Sequence, residues 1–159
     1  MSVLGITLLL GGGVLLFLSY KKYLSFSERE CRGYLSLIEF LHSRVSCYLS
    51  PVDEVIREFR SDVLVECGFL DAATEGSLKD AFLKVREASR MPSDAIVAVE
   101  EFLSGLGKGY LDSEVRAMEI AIKKLRRICD RECAERANRV KIAGALIFAV
   151  TVGTLLLLV

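Results

Sequence analysis

A chain of 159 residues is of a length for one domain rather than several. Its 21 Lys and Arg balance 21 Asp and Glu, which excludes the basic excess that a nucleic-acid binder needs to neutralise phosphates. The charge is also confined, since every ionised side chain lies between Lys21 and Lys141 and both ends of the chain are free of charge.

The first element is one of those uncharged ends. Val3 to Tyr20 is a run of 18 residues, about 27 Å long as a helix at 1.5 Å per residue, close to the thickness of a bilayer core. A cleaved signal peptide would carry a basic region before its apolar stretch; here nothing basic precedes the run, and Tyr20-Lys21-Lys22-Tyr23 follows it. A transmembrane helix over 3–20 is expected, with Gly11, Gly12 and Gly13 forming a notch where another helix can approach closely.

The central segment, 24–141, reads as helices throughout. Cys31, Leu35, Ile38, Leu41, Val45 and Leu49 recur at three- and four-residue intervals and predict a helix over 24–49 that continues from the first span. Ser50-Pro51-Val52-Asp53-Glu54 combines a capping serine, a first-turn proline and acids at the positive dipole end, and so starts a second helix. That helix is expected to bury Val52, Val55, Ile56, Phe59 and Val63 and to stop at Cys67-Gly68. A third begins near Asp71, crosses a weak point at Gly76 and presents Leu78, Phe82 and Val85. Met91-Pro92-Ser93-Asp94 breaks it and opens a fourth, carrying Ile96, Val99, Phe102, Leu103 and Leu106 and closed by the glycines at 105, 107 and 109. Asp112 or Ser113 is expected to cap a fifth, in which Leu111, Val115, Met118, Ile122, Leu125 and Cys129 keep the alternation of a coiled coil. The first and fifth helices should lie side by side and antiparallel, with the shorter helices packed across them.

The last element, Ile142 to Val159, is again 18 uncharged residues and is expected as a second transmembrane helix. Ala145, Ala149 and Gly153 recur every four residues and give it a small-residue stripe. Lys21 and Lys22 follow the first span, and Arg136, Arg139 and Lys141 precede the second; positive charge retained on the cytoplasmic side puts 24–141 in the cytoplasm. The expected fold class is therefore all-α, an antiparallel helical bundle flanked by an N-terminal and a C-terminal transmembrane helix.

Few residues suggest chemistry. Gly105-Leu106-Gly107-Lys108-Gly109 lacks the spacing of a phosphate loop and follows a helix rather than a strand. Five cysteines, an odd number without any C-x-x-C pair, read as reduced thiols in the cytosol rather than as a disulfide scaffold. Cys129 and Cys133, four apart, share a helix face and are expected in the core rather than in metal or redox work, because His42 is the only histidine and is a boundary residue without an acid–base constellation. No cofactor, metal, small-molecule substrate or catalytic residue is expected. Partner contacts are expected at the turn Lys108, Gly109 and Tyr110 and on the basic face of Lys123, Lys124, Arg126 and Arg127, which could meet an acidic partner or anionic headgroups or could be a solvated face.

Leu35-x-x-Ile38-x-x-Leu41 leading to Val45-x-x-Tyr48-Leu49-Ser50-Pro51-Val52, and Phe102-Leu103-x-x-Leu106-Gly107 before the last long helix, resemble the stage III sporulation protein AB family over essentially the whole chain. An acidic residue and a glutamine would be expected soon after Leu106-Gly107; Tyr110 and Glu114 fall near those places, and Asp112 can take the acidic role. The resemblance implies a span at each end and a cytoplasmic bundle similar to that of the type II secretion F platform protein. It also implies a non-enzymatic role in the transenvelope complex between mother cell and forespore, alongside other membrane subunits of that channel and a cytosolic secretion-type ATPase, in the mother-cell membrane. The alternative is a general membrane-tethered helical adaptor unrelated to sporulation, and a membrane redox protein using Cys129 and Cys133 is a third reading.

Overall fold

The computed structural model describes the backbone of residues 3–48 and 52–158 and the side chains of 11–46 and 55–154. All regular structure among the described residues is helical. Seven α-helices follow one another: α1 (Val3–Tyr48), α2 (Val52–Glu58), α3 (Asp62–Glu66), α4 (Phe69–Glu75), α5 (Leu78–Val85), α6 (Ser93–Gly105) and α7 (Leu111–Leu158), with a 3-10 turn at Arg86–Ala88. The chain divides into two compact units, one of residues 1–26 and 132–159 and the other of residues 27–131. Helices α1 and α7 contribute to both.

The 27–131 unit is a helical bundle built around α1. Cys31, Tyr34, Leu37, Ile38, Leu41 and Val45 are all buried, so α1 hides a broad arc rather than a narrow seam. The Tyr34 ring meets Phe69 of α4 and Phe82 of α5 edge-on, with centroids 5.1 and 5.4 Å apart, the geometry that ring quadrupoles favour. Gly33 lies where a Cβ would fall 2.7 Å from a Val63 methyl, so α3 rests directly on the α1 backbone. Helix α7 runs antiparallel to α1 in this unit: Cys31 is joined to Cys129 across a Cα–Cα distance of 6.2 Å, Glu39 pairs with Arg126, and His42 faces Glu119. Met118, Leu125, Ile128 and Cys129 supply the α7 side of the core.

Four expectations change. The second helix is two: the chain breaks at Phe59-Arg60-Ser61, where the Arg60 guanidinium donates to the carbonyls of Arg57 (2.7 Å) and Phe59 (3.0 Å) and replaces helical hydrogen bonds. The third is also two, with Gly76 extended and Ser77 capping α5 by accepting the Asp80 amide at 3.1 Å. Cys31 and Cys129 form a disulfide rather than standing as separate thiols; both are buried and their Cα separation lies within the range a bridge requires. Cys133 does not share the core with Cys129 but is exposed, because four residues of helix turn it about 40° further round, past the buried arc. The expected burial of Leu49 and Val52 and the cap at Ser50-Pro51 lie outside the described residues.

One charged side chain is enclosed. Glu30 is buried, and one carboxylate oxygen accepts the backbone N–H of Arg90 at 2.9 Å while the other has no partner. This contact fixes the turn that precedes α6 against α1. The Tyr34 hydroxyl, one helical turn on, faces the Cys67 thiol, a poor hydrogen-bond partner, and is otherwise unsatisfied. Burial pushes the Tyr34 phenol far above its ordinary range, with the nearby Cys67 and Glu30 adding to the effect, and burial also raises the Cys67 thiol.

The unit of residues 1–26 and 132–159 pairs one stretch of α1 with one of α7. A Cβ on Gly13 would lie 3.0 Å from the Thr151 hydroxyl, and one on Gly144 would lie 3.2 Å from the Phe17 ring, so glycines sit at the closest approaches. Thr151 and Thr154 return their hydroxyls to the carbonyls of Ile147 and Val150 at 2.7 and 2.5 Å, leaving an apolar exterior. Leu15, Leu16, Leu146, Phe148 and Val150 are each more than half exposed. Among the described residues no helix is long and apolar enough to cross a membrane. The outer parts of both expected spans, residues 1–10 and 155–159, lie outside the described side chains.

Candidate interaction surface

The turn between α6 and α7 is built for exposure. Gly107 takes a left-handed conformation (φ 79°) just past the end of α6, which a side chain would oppose. The cap of α7 is Tyr110 rather than Asp112 or Ser113: its carbonyl accepts the backbone N–H groups of Ser113 and Glu114 at 2.9 and 3.0 Å and the Ser113 hydroxyl at 2.6 Å. Glu114 reaches back to accept the Gly109 N–H at 3.2 Å, which ties the residue before the cap to the first turn of α7. Gly109 has no room for a side chain, since a Cβ would fall 2.4 Å from the Ser113 hydroxyl oxygen. The Tyr110 ring itself touches little and is 91% exposed, and Lys108 is exposed beside it. This turn therefore presents a rigid backbone with a free aromatic ring and a cation.

The basic face of α7 does not act as one surface. Lys124 is held by Glu101 of α6 at 2.6 Å, Arg126 by Glu39 of α1 at 2.5 Å, and Arg131 by Asp94 at the start of α6. Lys123 and Arg127, together with Arg116, which was not among the expected contact residues, are exposed and enter no ion pair among the described residues. Helical geometry explains the division: residues 124 and 131 point to α6, residue 126 to α1, and 116, 123 and 127 to neither. Burial pushes the Asp94 carboxyl upward, but the hydrogen bond and charge of Arg131 outweigh it and leave the group below its ordinary value. His42 is half-buried, with the Glu119 carboxylate at 3.9 Å, beyond hydrogen-bond reach.

The small-residue positions also divide. Gly13 makes a close interhelical contact, whereas Gly11, Gly12 and Gly153 would meet nothing with an added Cβ, and Ala145 and Ala149 are exposed. The glycine that does carry a contact in α7, Gly144, was not among the expected packing residues because it falls one position before the regular four-residue stripe.

Among the described residues no three His, Cys, Asp or Glu side chains come together as a metal-ligand set. The bundle carries an open depression of about 360 Å³ near Ile56, Thr74 and Ser77, half polar and without a charged cluster. An apolar groove of about 410 Å³ runs beside Gly12, Gly13 and Thr151 in the helix pair. The described surface carries a capped turn with an exposed ring, a divided basic helix and an apolar helix pair. No known protein family, no curated protein and no solved structure matches the chain.

Proposed function

We propose that the chain is a non-enzymatic, membrane-anchored helical platform, with both apolar ends in one membrane and the bundle on the cytoplasmic side. The observation that carries this reading is the contrast between the two units. The bundle buries most of its large apolar side chains, while the helix pair turns Leu15, Leu16, Phe148 and Val150 outward, an arrangement at home in lipid. The flanking cations Lys21, Lys22, Arg136, Arg139 and Lys141 favour retention of the bundle in the cytoplasm. A disulfide such as Cys31–Cys129 is rare in that reducing compartment and is sheltered here by the burial of both cysteines.

The resemblance to stage III sporulation protein AB gives the platform its setting. The chain is then an assembly component of the channel complex between mother cell and forespore, contacting other membrane subunits and a cytosolic secretion-type ATPase. The test is deletion of the gene in its host, with heat-resistant spores counted and growth rate measured beside them. Loss of spores with normal growth is the expected outcome. Normal sporulation, in the absence of a paralogue, removes the sporulation assignment and leaves a general membrane-tethered adaptor.

A further inference from the structure

We infer that Arg116, Ile120, Lys123 and Arg127 form a docking seam on α7 for an acidic amphipathic helix of a partner protein. These residues follow one another at intervals of four, three and four, the spacing that keeps side chains in line along a helix and lets a second helix lie against them. The stripe covers about 16 Å of helix axis at 1.5 Å per residue, about three turns of contact. All four side chains are exposed.

Two observations separate this stripe from an ordinary solvated face. The first concerns charge. Lys124, Arg126 and Arg131, its neighbours on the same helix, each hold a carboxylate of the bundle, whereas Arg116, Lys123 and Arg127 pair with none among the described residues. The bundle has thus neutralised the cations it uses and left three in a row unused. The second concerns apolar surface. Ile120, flanked by two of those cations, is 66% exposed, on a helix whose Met118 and Leu125 are fully buried. Val97, 49% exposed, lies three residues after Asp94 and four before Glu101, on the face of α6 that carries the two acids paired to α7. A β-branched side chain ringed by cations suits a partner that supplies an apolar residue flanked by carboxylates.

A headgroup layer would supply the anions but has no use for a three-four spacing, and the linear register favours a helix. The acids nearest on α7 itself are Asp112, four residues before Arg116, Glu119, four before Lys123 and turned toward His42, and Asp130, three after Arg127. They set a local limit on the positive field without closing the seam. The inference rests on the bundle alone and not on the sporulation assignment.

The test uses the full chain in mild detergent and two synthetic helical peptides, each about three heptads long. One carries Glu and Leu along a single stripe at three- and four-residue intervals; the other has Lys in place of every Glu. Binding is read by fluorescence anisotropy. The acidic peptide is expected to bind at least about tenfold more tightly than the basic one, as three surface charge pairs allow. The triple variant Arg116→Glu, Lys123→Glu, Arg127→Glu is expected to invert that preference, a gain of binding that a misfolded chain cannot give. Ile120→Ala is expected to weaken the acidic peptide by about threefold or more through lost apolar contact. Failure of the acidic peptide to bind, equal binding of both, or a preference unmoved by the triple variant overturns the inference. So does a fourth result: shielding of Lys123 from an amine-reactive reagent by phosphatidylglycerol vesicles while neither peptide binds, which assigns the stripe to headgroups.

Discussion

The two units of this chain spend similar side chains in opposite ways. In the bundle, Leu37, Leu41, Phe69 and Phe82 are buried, and only scattered apolar side chains such as Ile120 and Val97 reach the surface. In the helix pair, Leu16, Leu146 and Phe148 face outward, and the close contacts run from Gly13 to Thr151 and Ile147 and from Gly144 to Phe17. The difference teaches what each solvent rewards. Water drives apolar area inward; on the proposed membrane reading, lipid gives the helix pair no such drive and leaves close backbone approach as the main source of its association.

The most severe way to probe that contrast is truncation of one aromatic in each unit. Phe82→Ala removes a ring wedged against Tyr34 and is expected to cost about 3–5 kcal/mol, read as a fall in the urea midpoint by circular dichroism. Phe148→Ala removes a ring that is 71% exposed and should leave the midpoint within about 0.5 kcal/mol of its starting value. Equal losses would mean that the helix pair has a core of its own.

A gentler probe adds atoms instead. Gly33→Ala drives a methyl to 2.7 Å from Val63 and 3.2 Å from Leu64, and is expected to destabilise by about 1–3 kcal/mol as α3 is pushed away. Gly153→Ala meets open space and should be neutral in the same melts. An equal response at the two positions would show that α3 does not rest on α1 as described.

The smallest effect is confined to alkaline solution. Tyr34 ionises in the unfolded chain near pH 10, but burial raises it well above that in the fold. The folded state therefore holds its proton longer, and the stability this gives is complete below about pH 10 and declines as pH rises further. Cys67, raised by burial, acts in the same direction from its own lower starting point. Tyr34→Phe keeps the ring contacts and should flatten the alkaline arm while changing little at neutral pH. Parallel alkaline losses in the two proteins would count against burial as the cause.

The sequence was readable where one physical rule decided the outcome. Helical periodicity announced Cys31, Ile38, Leu41 and Val45 as core, and the same pattern marked Met118, Leu125 and Cys129 on α7. Tyr34 and Leu37 escaped because α1 is covered on several sides, and a single stripe undercounts a wide buried arc. The break at 59–61 was hidden because Phe59 and Val63 continue the apolar period across it and no Gly or Pro marks the spot. For the interaction surface, four clustered cations were visible, but their division was not. It depends on which acids α1 and α6 bring alongside, Glu39 and Glu101, and neither is near in sequence. Arg116 and Ile120 were missed for the matching reason, since nothing local separates an unpaired exposed residue from a paired one.

The pairing of α1 with α7 has a consequence for how the molecule comes into being. Cys31 and Cys129 are 98 residues apart, and Glu39 and Arg126 are 87 apart, so the two longest helices meet only after nearly all of the intervening chain exists. During synthesis α1 stands with its apolar arc uncovered on one side until α7 arrives, while α4 and α5 can find each other across a few residues. Closing so long a loop in free solution carries an entropic cost that grows with the logarithm of its length. On the proposed membrane reading, with both apolar ends in one bilayer, the search for α7 would shrink from a volume to a plane, and the late contact would become one between neighbours.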